Sequence, residues 1–258
     1  MSLLDYLSKE NRLIRKIERN VKRANNKHTP KDYRQAALYE VITLAKKGEE
    51  LAIQGLISRF SVNAEPSIED EKEKEWVSEA LIDMGEIGLA GLKKALRSAE
   101  SVNQVQRVLR NVLSHDEYRD ELLDVLSDFD TEYERNPDRK IQTIMALAEI
   151  NEEPVTSALI RFLDDVDETV RYQTVVALFS HENEIAREPL LKTMCEDDSL
   201  RVRNEAMEGF ANLGWSTASY KKKVDAVLNS EYVHEKSGKI VKKKKINIVK
   251  KLVDINAK

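Results

Sequence analysis

Three stretches of this chain of 258 residues repeat one another, and this internal repetition constrains the fold more than any other feature. The segment VRYQTVVALF (170–179) has Gln-Thr and Ala-Leu at the same places as RKIQTIMALA (139–148), which lies upstream. The segment VRNEAMEGFA (202–211) opens with the same Val-Arg, and Val202 follows Val170 by 32 residues. A period of about 30 residues is typical of proteins built from stacked helical units.

Each repeated unit has the pattern of two short helices joined by an acidic turn. Pro154 and Pro189 open the first helices, where a missing N–H costs no hydrogen bond. Apolar residues follow at helical spacing, so we expect one face of each helix to be buried. The expected core positions are Leu159, Phe162, Leu163, Leu190, Leu191 and Met194 on first helices, and Val170, Thr174, Ala177, Leu178, Val202, Ala206, Phe210 and Leu213 on second helices.

The repetition predicts an all-α fold, an α-solenoid of about five stacked helix pairs. We expect it to occupy residues 29–214 and to follow an N-terminal basic amphipathic helix over residues 1–28, which acts as a cap. A basic C-terminal extension covers residues 215–258. Within it, KSGK (236–239) is flanked by short apolar runs and is interpreted as the turn of a small β-hairpin.

Two of the repeated units resemble a known family. The segments DDVDETVRYQTVVAL (164–178) and EDDSLRVRNEAMEGFANLG (196–214) are similar to HEAT repeats of the short bacterial type, related to those of the phycobilisome-lyase HEAT-like family. The similarity is good over 137–214 and weaker over 35–113. It implies a structural ladder between adjacent units, in which arginines bond to acids of the preceding turn. The residues at the matching positions are Asp165, Arg171, Asp197 and Arg203. An arginine at such a site could instead hold a phosphate or carboxylate ligand.

Charge is strongly segregated along the chain. Residues 1–34 carry a local charge of +6 and residues 221–258 carry +8, whereas residues 35–220 carry -18. The chain has one cysteine, which excludes an intramolecular disulfide, and it shows neither a signal peptide nor a transmembrane run. These features predict a cytoplasmic protein. We expect no catalytic residues, no metal ligands and no cofactor, because no catalytic or ligand spacing occurs.

The second helices of a solenoid form its concave surface, which is the expected binding face. Carrying the period across predicts rows of exposed residues that are polar to acidic, with a small apolar centre at Met145 and Val176. Such a face suits a basic or amphipathic protein segment, so the leading hypothesis is a non-catalytic scaffold. The predicted rows are Gln142, Gln173 and Glu205; Met145, Val176 and Glu208; and Glu149, Ser180 and Asn212.

Other hypotheses stay open. A HEAT-like protein could bind nucleic acid, act as a DNA glycosylase or attach bilins, as some proteins with similar repeats do. The basic N-terminal helix could cover the first repeat, lie on an anionic membrane or dock in a partner's groove. The tail could contact nucleic acid or another anionic surface through Lys242, Lys243, Lys244 and Lys245. The oligomeric state is not predicted.

Overall fold

The computed structural model describes residues 3–243, with side chains from Lys9 onward. The described part is mostly helical, which confirms the all-α prediction. Its helices are α1 (Leu3–Ala24), α2 (Lys31–Ala45), α3 (Glu50–Arg59), α4 (Ser67–Met84), α5 (Leu89–Ser98), α6 (Asn103–Val112), α7 (His115–Ser127), α8 (Asp138–Leu147), α9 (Glu153–Ile160), α10 (Glu168–Ser180), α11 (Arg187–Glu196), α12 (Leu200–Leu213) and α13 (Lys221–Val227). Two short strands, β1 (Tyr232–His234) and β2 (Ile240–Lys242), follow. No described helix is long and apolar enough to cross a membrane.

The chain forms two compact units. The first comprises Met1–Asp130 with Glu134–Leu147, and the second comprises Thr131–Tyr133 with Ala148–Lys258. In the first unit, α4 packs against both α2 and α6, while α3 packs against α1 and α5 and α5 also contacts α7. Even-numbered helices therefore neighbour one another, as do odd-numbered ones, because each apolar stripe is covered by the helices of adjacent pairs.

The interior of the first unit contains a cluster of charged side chains between α2, α3 and α4. Arg34, Arg59, Asp70, Glu73 and Lys74 are each less than a tenth exposed. Buried charges are costly unless they are paired and hydrogen-bonded, so this cluster has to be satisfied internally. We call these five residues the buried charge cluster.

Glu73 and Asp70 are the two acids of the buried charge cluster. Glu73 Oε2 accepts from Arg34 Nε at 2.6 Å and from Arg59 Nη2 at 3.0 Å, so it joins α4 to both α2 and α3. Asp70 binds Arg59, and its other oxygen lies 2.7 Å from Lys74 Nζ. Asp70 also accepts from the backbone N–H of Ala64 at 3.1 Å, which fixes the loop before α4.

We predict that Glu73→Gln lowers the free energy of unfolding by about 3 kcal/mol, since two buried guanidinium groups lose their shared carboxylate. The control is Glu71→Gln on the same helix, because the Glu71 side chain is 67% exposed. That change should alter stability by less than about 0.5 kcal/mol. Urea unfolding followed by circular dichroism measures both. Equal losses from the two variants would contradict the proposed role of the cluster.

The pKa of Asp70 predicts how stability depends on pH. Burial alone would raise this pKa, but hydrogen bonds from Lys74 and Arg59 outweigh it and the pKa is lowered. A carboxylate whose pKa is lower in the folded state stabilises the fold above its unfolded pKa, and that contribution disappears as pH falls through the folded pKa. Asp70→Asn should therefore be less stable than the wild type at pH 7.

This stability difference should narrow as the pH falls below about 4, the ordinary pKa of aspartate. Urea unfolding at a series of pH values from neutral to acidic measures it. The exposed Asp83→Asn provides the control, since its difference from the wild type should stay small throughout. A gap for Asp70→Asn that is independent of pH would show that the charge of Asp70 is not what stabilises the loop.

The second unit buries the apolar positions that the repeat predicts. Val170, Thr174, Ala177 and Leu178 of α10 are fully buried. So are Val202, Ala206 and Phe210 of α12, whereas Leu213 is only half-buried because it lies in the last turn. On the first helices, Leu159, Phe162, Leu163, Leu190, Leu191 and Met194 are all buried. Helix α10 packs against α12, and α11 packs against α12 and α13.

An aromatic cluster holds α10 against α12. The rings of Phe179, Phe210 and Trp215 contact one another, with centroids 5.4–6.0 Å apart. Gly209 allows this approach, because a Cβ added there would lie 2.4 Å from the Phe179 ring. The glycine in the middle of α12 is thus explained by helix packing rather than by a bend in the backbone.

A turn of the same design occurs three times in the second unit. The side-chain oxygens of Asp165, Asp197 and Asn229 accept from the backbone N–H two residues later, at 2.8, 2.7 and 2.9 Å. The three positions are 32 residues apart. After Asp165 and Asp197 the chain enters α10 and α12, but after Asn229 it enters β1 instead. The repeat therefore continues through α13 and its turn before its pattern changes.

The predicted β-hairpin is present. Strands β1 and β2 pair antiparallel, with Val233 opposite Val241, and Gly238 occupies the turn with a φ of 81°. Such a positive φ suits glycine. Strand β2 packs against α12, so the hairpin lies where a further second helix would otherwise follow.

Candidate functional site

The predicted binding residues all lie at the surface, and none of them is buried. Gln142 and Met145 belong to α8 in the first unit, and the other seven belong to the second unit. Met145 is 50% exposed and Val176 is 36% exposed. Gln142 has a structural contact, because its Oε1 accepts from the N–H groups of Val102 and Asn103 at the start of α6.

Six of the predicted residues lie on two neighbouring helices of the second unit. We call this surface the α10–α12 face, and it comprises Gln173, Val176 and Ser180 of α10 with Glu205, Glu208 and Asn212 of α12. The remaining residue, Glu149, is exposed in the segment before α9. Ser180 Oγ lies 3.0 Å from the carbonyl oxygen of Ala148 and 2.8 Å from that of Ala177.

One end of the α10–α12 face contains two residues that the row analysis missed. Tyr172 Oη donates to Glu205 at 3.0 Å, and this hydrogen bond, followed by burial, raises the pKa of Tyr172. The guanidinium of Arg201 lies 3.9 Å from the centroid of the Tyr172 ring. Arg201 precedes Glu205 by one helical turn, so the i, i+4 rule applied to α12 would have found it.

The other end of the face is bound by the hairpin. Lys242 Nζ lies 3.4 Å from Glu208 and Tyr232 Oη lies 3.5 Å from it. The hydrogen bond to Glu208 is the main cause that raises the pKa of Lys242. Glu208 is thus already paired with a cation of the same chain. Lys243 bonds instead to the carbonyl oxygen of Ser230, while Lys244 and Lys245 lie outside the described residues.

The ladder residues are connected across neighbouring helix pairs. Arg171 donates from Nε and Nη2 to the two carboxylate oxygens of Asp197, at 2.8 and 3.0 Å. Its Nη1 donates to the carbonyl oxygen of Asp165 at 3.0 Å. Arg171 therefore reaches the turn before it through backbone oxygens and the turn after it through a carboxylate. The family resemblance implies acids of the preceding turn, so the direction of the charged contact differs.

The same contact pattern changes at the next arginine. Arg203 Nη1 donates to the carbonyl oxygen of Asp197 at 3.1 Å, which repeats the contact of Arg171 with Asp165. The third turn offers Asn229, whose Nδ2 donates to Asn204 Oδ1 at 3.1 Å. Because an amide carries no charge, this turn cannot form the ion pair that Asp197 forms. The ladder loses its charged contact where the hairpin begins.

A hydroxyl, an imidazole and a carboxylate meet beneath the hairpin. Thr217 Oγ1 lies 2.9 Å from His234 Nε2, and His234 Nδ1 lies 2.8 Å from Asp225. This is the order of groups found in nucleophilic triads. However, Thr217 is fully buried and its hydroxyl also lies 2.9 Å from the carbonyl oxygen of Gly238. The three side chains tie β1 and the hairpin turn to α13.

Metal-binding and thiol chemistry have little support within the described residues. No group of three or more His, Cys, Asp or Glu side chains is arranged there to hold a metal ion. Burial raises the pKa of the Cys195 thiol, and Lys223 opposes that effect only in part. The thiol is therefore kept protonated, which makes it a weak nucleophile.

Comparison of the sequence with protein-family models and with curated proteins gives no match.

We predict that Asp197→Asn lowers the free energy of unfolding by about 2 kcal/mol, because Arg171 loses a charged, bidentate partner. Asparagine can still accept from the backbone N–H of Ser199, as Asn229 does in the third turn, so the turn itself is preserved. Asp198→Asn is the matched control, since Asp198 is exposed and adjacent. Thermal and urea unfolding measure both variants. A loss that is the same at both positions would refute the ladder.

Proposed function

We propose that the helix pairs are HEAT-like repeats of an α-solenoid and that the protein is a non-catalytic scaffold. Its ligand is a basic or amphipathic polypeptide segment, which lies along the α10–α12 face. Kinship with the short bacterial HEAT proteins is part of this proposal. The observation that carries it is the α10–α12 face itself, where adjacent second helices of a repeat expose a continuous polar and acidic surface.

The repeat contacts support the solenoid part of the proposal. Arg171 pairs with the turn of the next unit, and the equivalent turns recur every 32 residues. Helix α10 packs against α12, while α11 packs against α13. In a solenoid each unit contacts its neighbours in this regular way, and the end of the array needs a different covering element. The hairpin against α12 is suited to that role.

The chemistry of the face supports the choice of ligand. Glu208 already binds the ammonium group of Lys242, so the face accepts a lysine in the geometry of its own hairpin. Val176 provides an exposed apolar contact between Gln173 and Ser180. Arg201 is placed over Tyr172 and leaves Glu205 hydrogen-bonded to the same tyrosine. A segment with lysines on one side and an apolar residue between them would match these groups.

A synthetic 16-residue peptide with one lysine face and one leucine face, labelled with fluorescein, provides the probe. We predict that Gln173→Arg with Val176→Arg weakens its binding by at least about tenfold, since two cations then oppose a cationic ligand. The control is Asn151→Arg with Ser157→Arg, which adds the same charge at exposed positions of the same unit. Fluorescence anisotropy measures both.

Two results would contradict the proposal. If the control variant lost as much affinity as the Gln173 and Val176 variant, the effect would reflect net charge rather than the face. If the wild type did not bind the peptide at low salt, the face would not be a site for basic segments. Photo-crosslinking from position 176 to the labelled peptide, compared with position 157, locates the contact directly.

A further inference from the structure

Helix α1 presents a face that is made entirely of cations. At 100° per residue, Lys9, Arg12, Arg15, Lys16, Arg19, Lys22 and Arg23 fall within a sector of about 140°. All seven are exposed. Asn26, just beyond the helix, is the other residue that falls in this sector, so no acidic or apolar side chain interrupts it. We call these seven residues the α1 basic face.

The opposite side of α1 is used for packing. Ile17, Asn20 and Ala24 are buried, and Leu13 and Val21 are half-buried. Helix α1 packs against α2 and α3, and the Cβ position of Gly55 in α3 lies within 2.3 Å of a Val21 methyl group. The apolar stripe of the described part of α1 is therefore already covered. The basic face is turned away from it and towards solvent.

Most of the α1 basic face is not neutralised by the rest of the protein. Lys16 pairs with Glu40 at 2.6 Å, and Lys9 also has a partner. Within the described residues, the five remaining cations form no ion pair: Arg12, Arg15, Arg19, Lys22 and Arg23. Unpaired cations at i, i+3, i+4 and i+7 on one rigid helix constitute a preformed field of positive charge. Their number and spacing exceed what helix stability requires.

The absence of apolar residues in this sector decides which ligand it fits. The core of a protein–protein interface is enriched in aromatic and apolar anchors, and an interfacial membrane helix must insert an apolar face. A phosphate backbone needs cations alone, and arginine binds phosphate through two parallel N–H donors. Duplex nucleic acid carries about one charge per 1.7 Å of its axis, so each turn of α1 finds phosphates within reach.

We infer that the α1 basic face binds the phosphate backbone of duplex nucleic acid, without selecting its sequence. No base-reading group is required, because contacts to phosphate carry no sequence information. The acidic charge of residues 35–220 then favours approach through this end of the first unit, since the rest of the chain repels a polyanion.

The test uses the full-length protein and a fluorescein-labelled DNA duplex of random sequence, with anisotropy measured across a series of potassium chloride concentrations. The triple variant Arg12→Gln, Arg15→Gln and Arg19→Gln should bind at least about twentyfold more weakly at low salt. The slope of log affinity against log salt should become shallower by about 3, one unit for each lost phosphate contact. Glutamine is a good helix former, so the thermal midpoint should not change.

The matched control is Lys221→Gln, Lys222→Gln and Lys236→Gln, which removes the same charge from exposed positions of the second unit. It should bind as the wild type does. A duplex RNA arm distinguishes the two nucleic acids, and binding of either supports the inference. It is overturned if the α1 variant binds duplex as tightly as the wild type, or if the control loses as much affinity. Binding to vesicles of anionic lipid with no binding to either duplex also overturns it.

Discussion

The charged hydrogen bonds at the turns between helices determine how neighbouring pairs are placed in the second unit. Asp197 uses one carboxylate for two tasks, because it accepts from Ser199 N–H within its own turn and from Arg171 of the preceding pair. The local shape of the turn and its distance from the previous helix are therefore coupled. Apolar burial alone would tolerate sliding of α10 along α12, whereas a bidentate arginine contact restricts it. The exposed α10–α12 face inherits its geometry from that restriction.

The first unit solves the same problem by a different means. Its helices α2, α3 and α4 are joined by Glu73, which binds Arg34 and Arg59 in the interior. A buried ionic cluster contributes less net stability than an apolar core of the same volume, but removal of one member is expensive. It therefore specifies which helices meet, and misaligned packing would leave several charges unpaired. The two units thus use arginine–carboxylate contacts at different depths.

Sequence periodicity predicted the parts of this structure that depend on local spacing. The buried positions of α10 and α12 follow from apolar residues at 3.6-residue intervals, and the hairpin follows from Gly238 between short apolar runs. The buried charge cluster could not be predicted, because hydropathy assigns Arg59 to the surface and its partner Asp70 is defined only by tertiary packing. The same holds for the α10–α12 face, where the partner of Glu208 lies 34 residues away. The face positions were predicted, but the cations that modify them were not.

The third turn of the second unit has a consequence for how this chain can change its length. Asn229 keeps the turn of the earlier repeats but leads into a strand, and the hairpin then covers the side of α12 that another helix would need. Duplication of a helix pair can therefore be accommodated upstream of this turn, where each new pair finds an uncovered neighbour. A copy placed after the hairpin would have no apolar stripe to join. Gene duplication would lengthen this array by internal insertion, with the hairpin carried along at its edge.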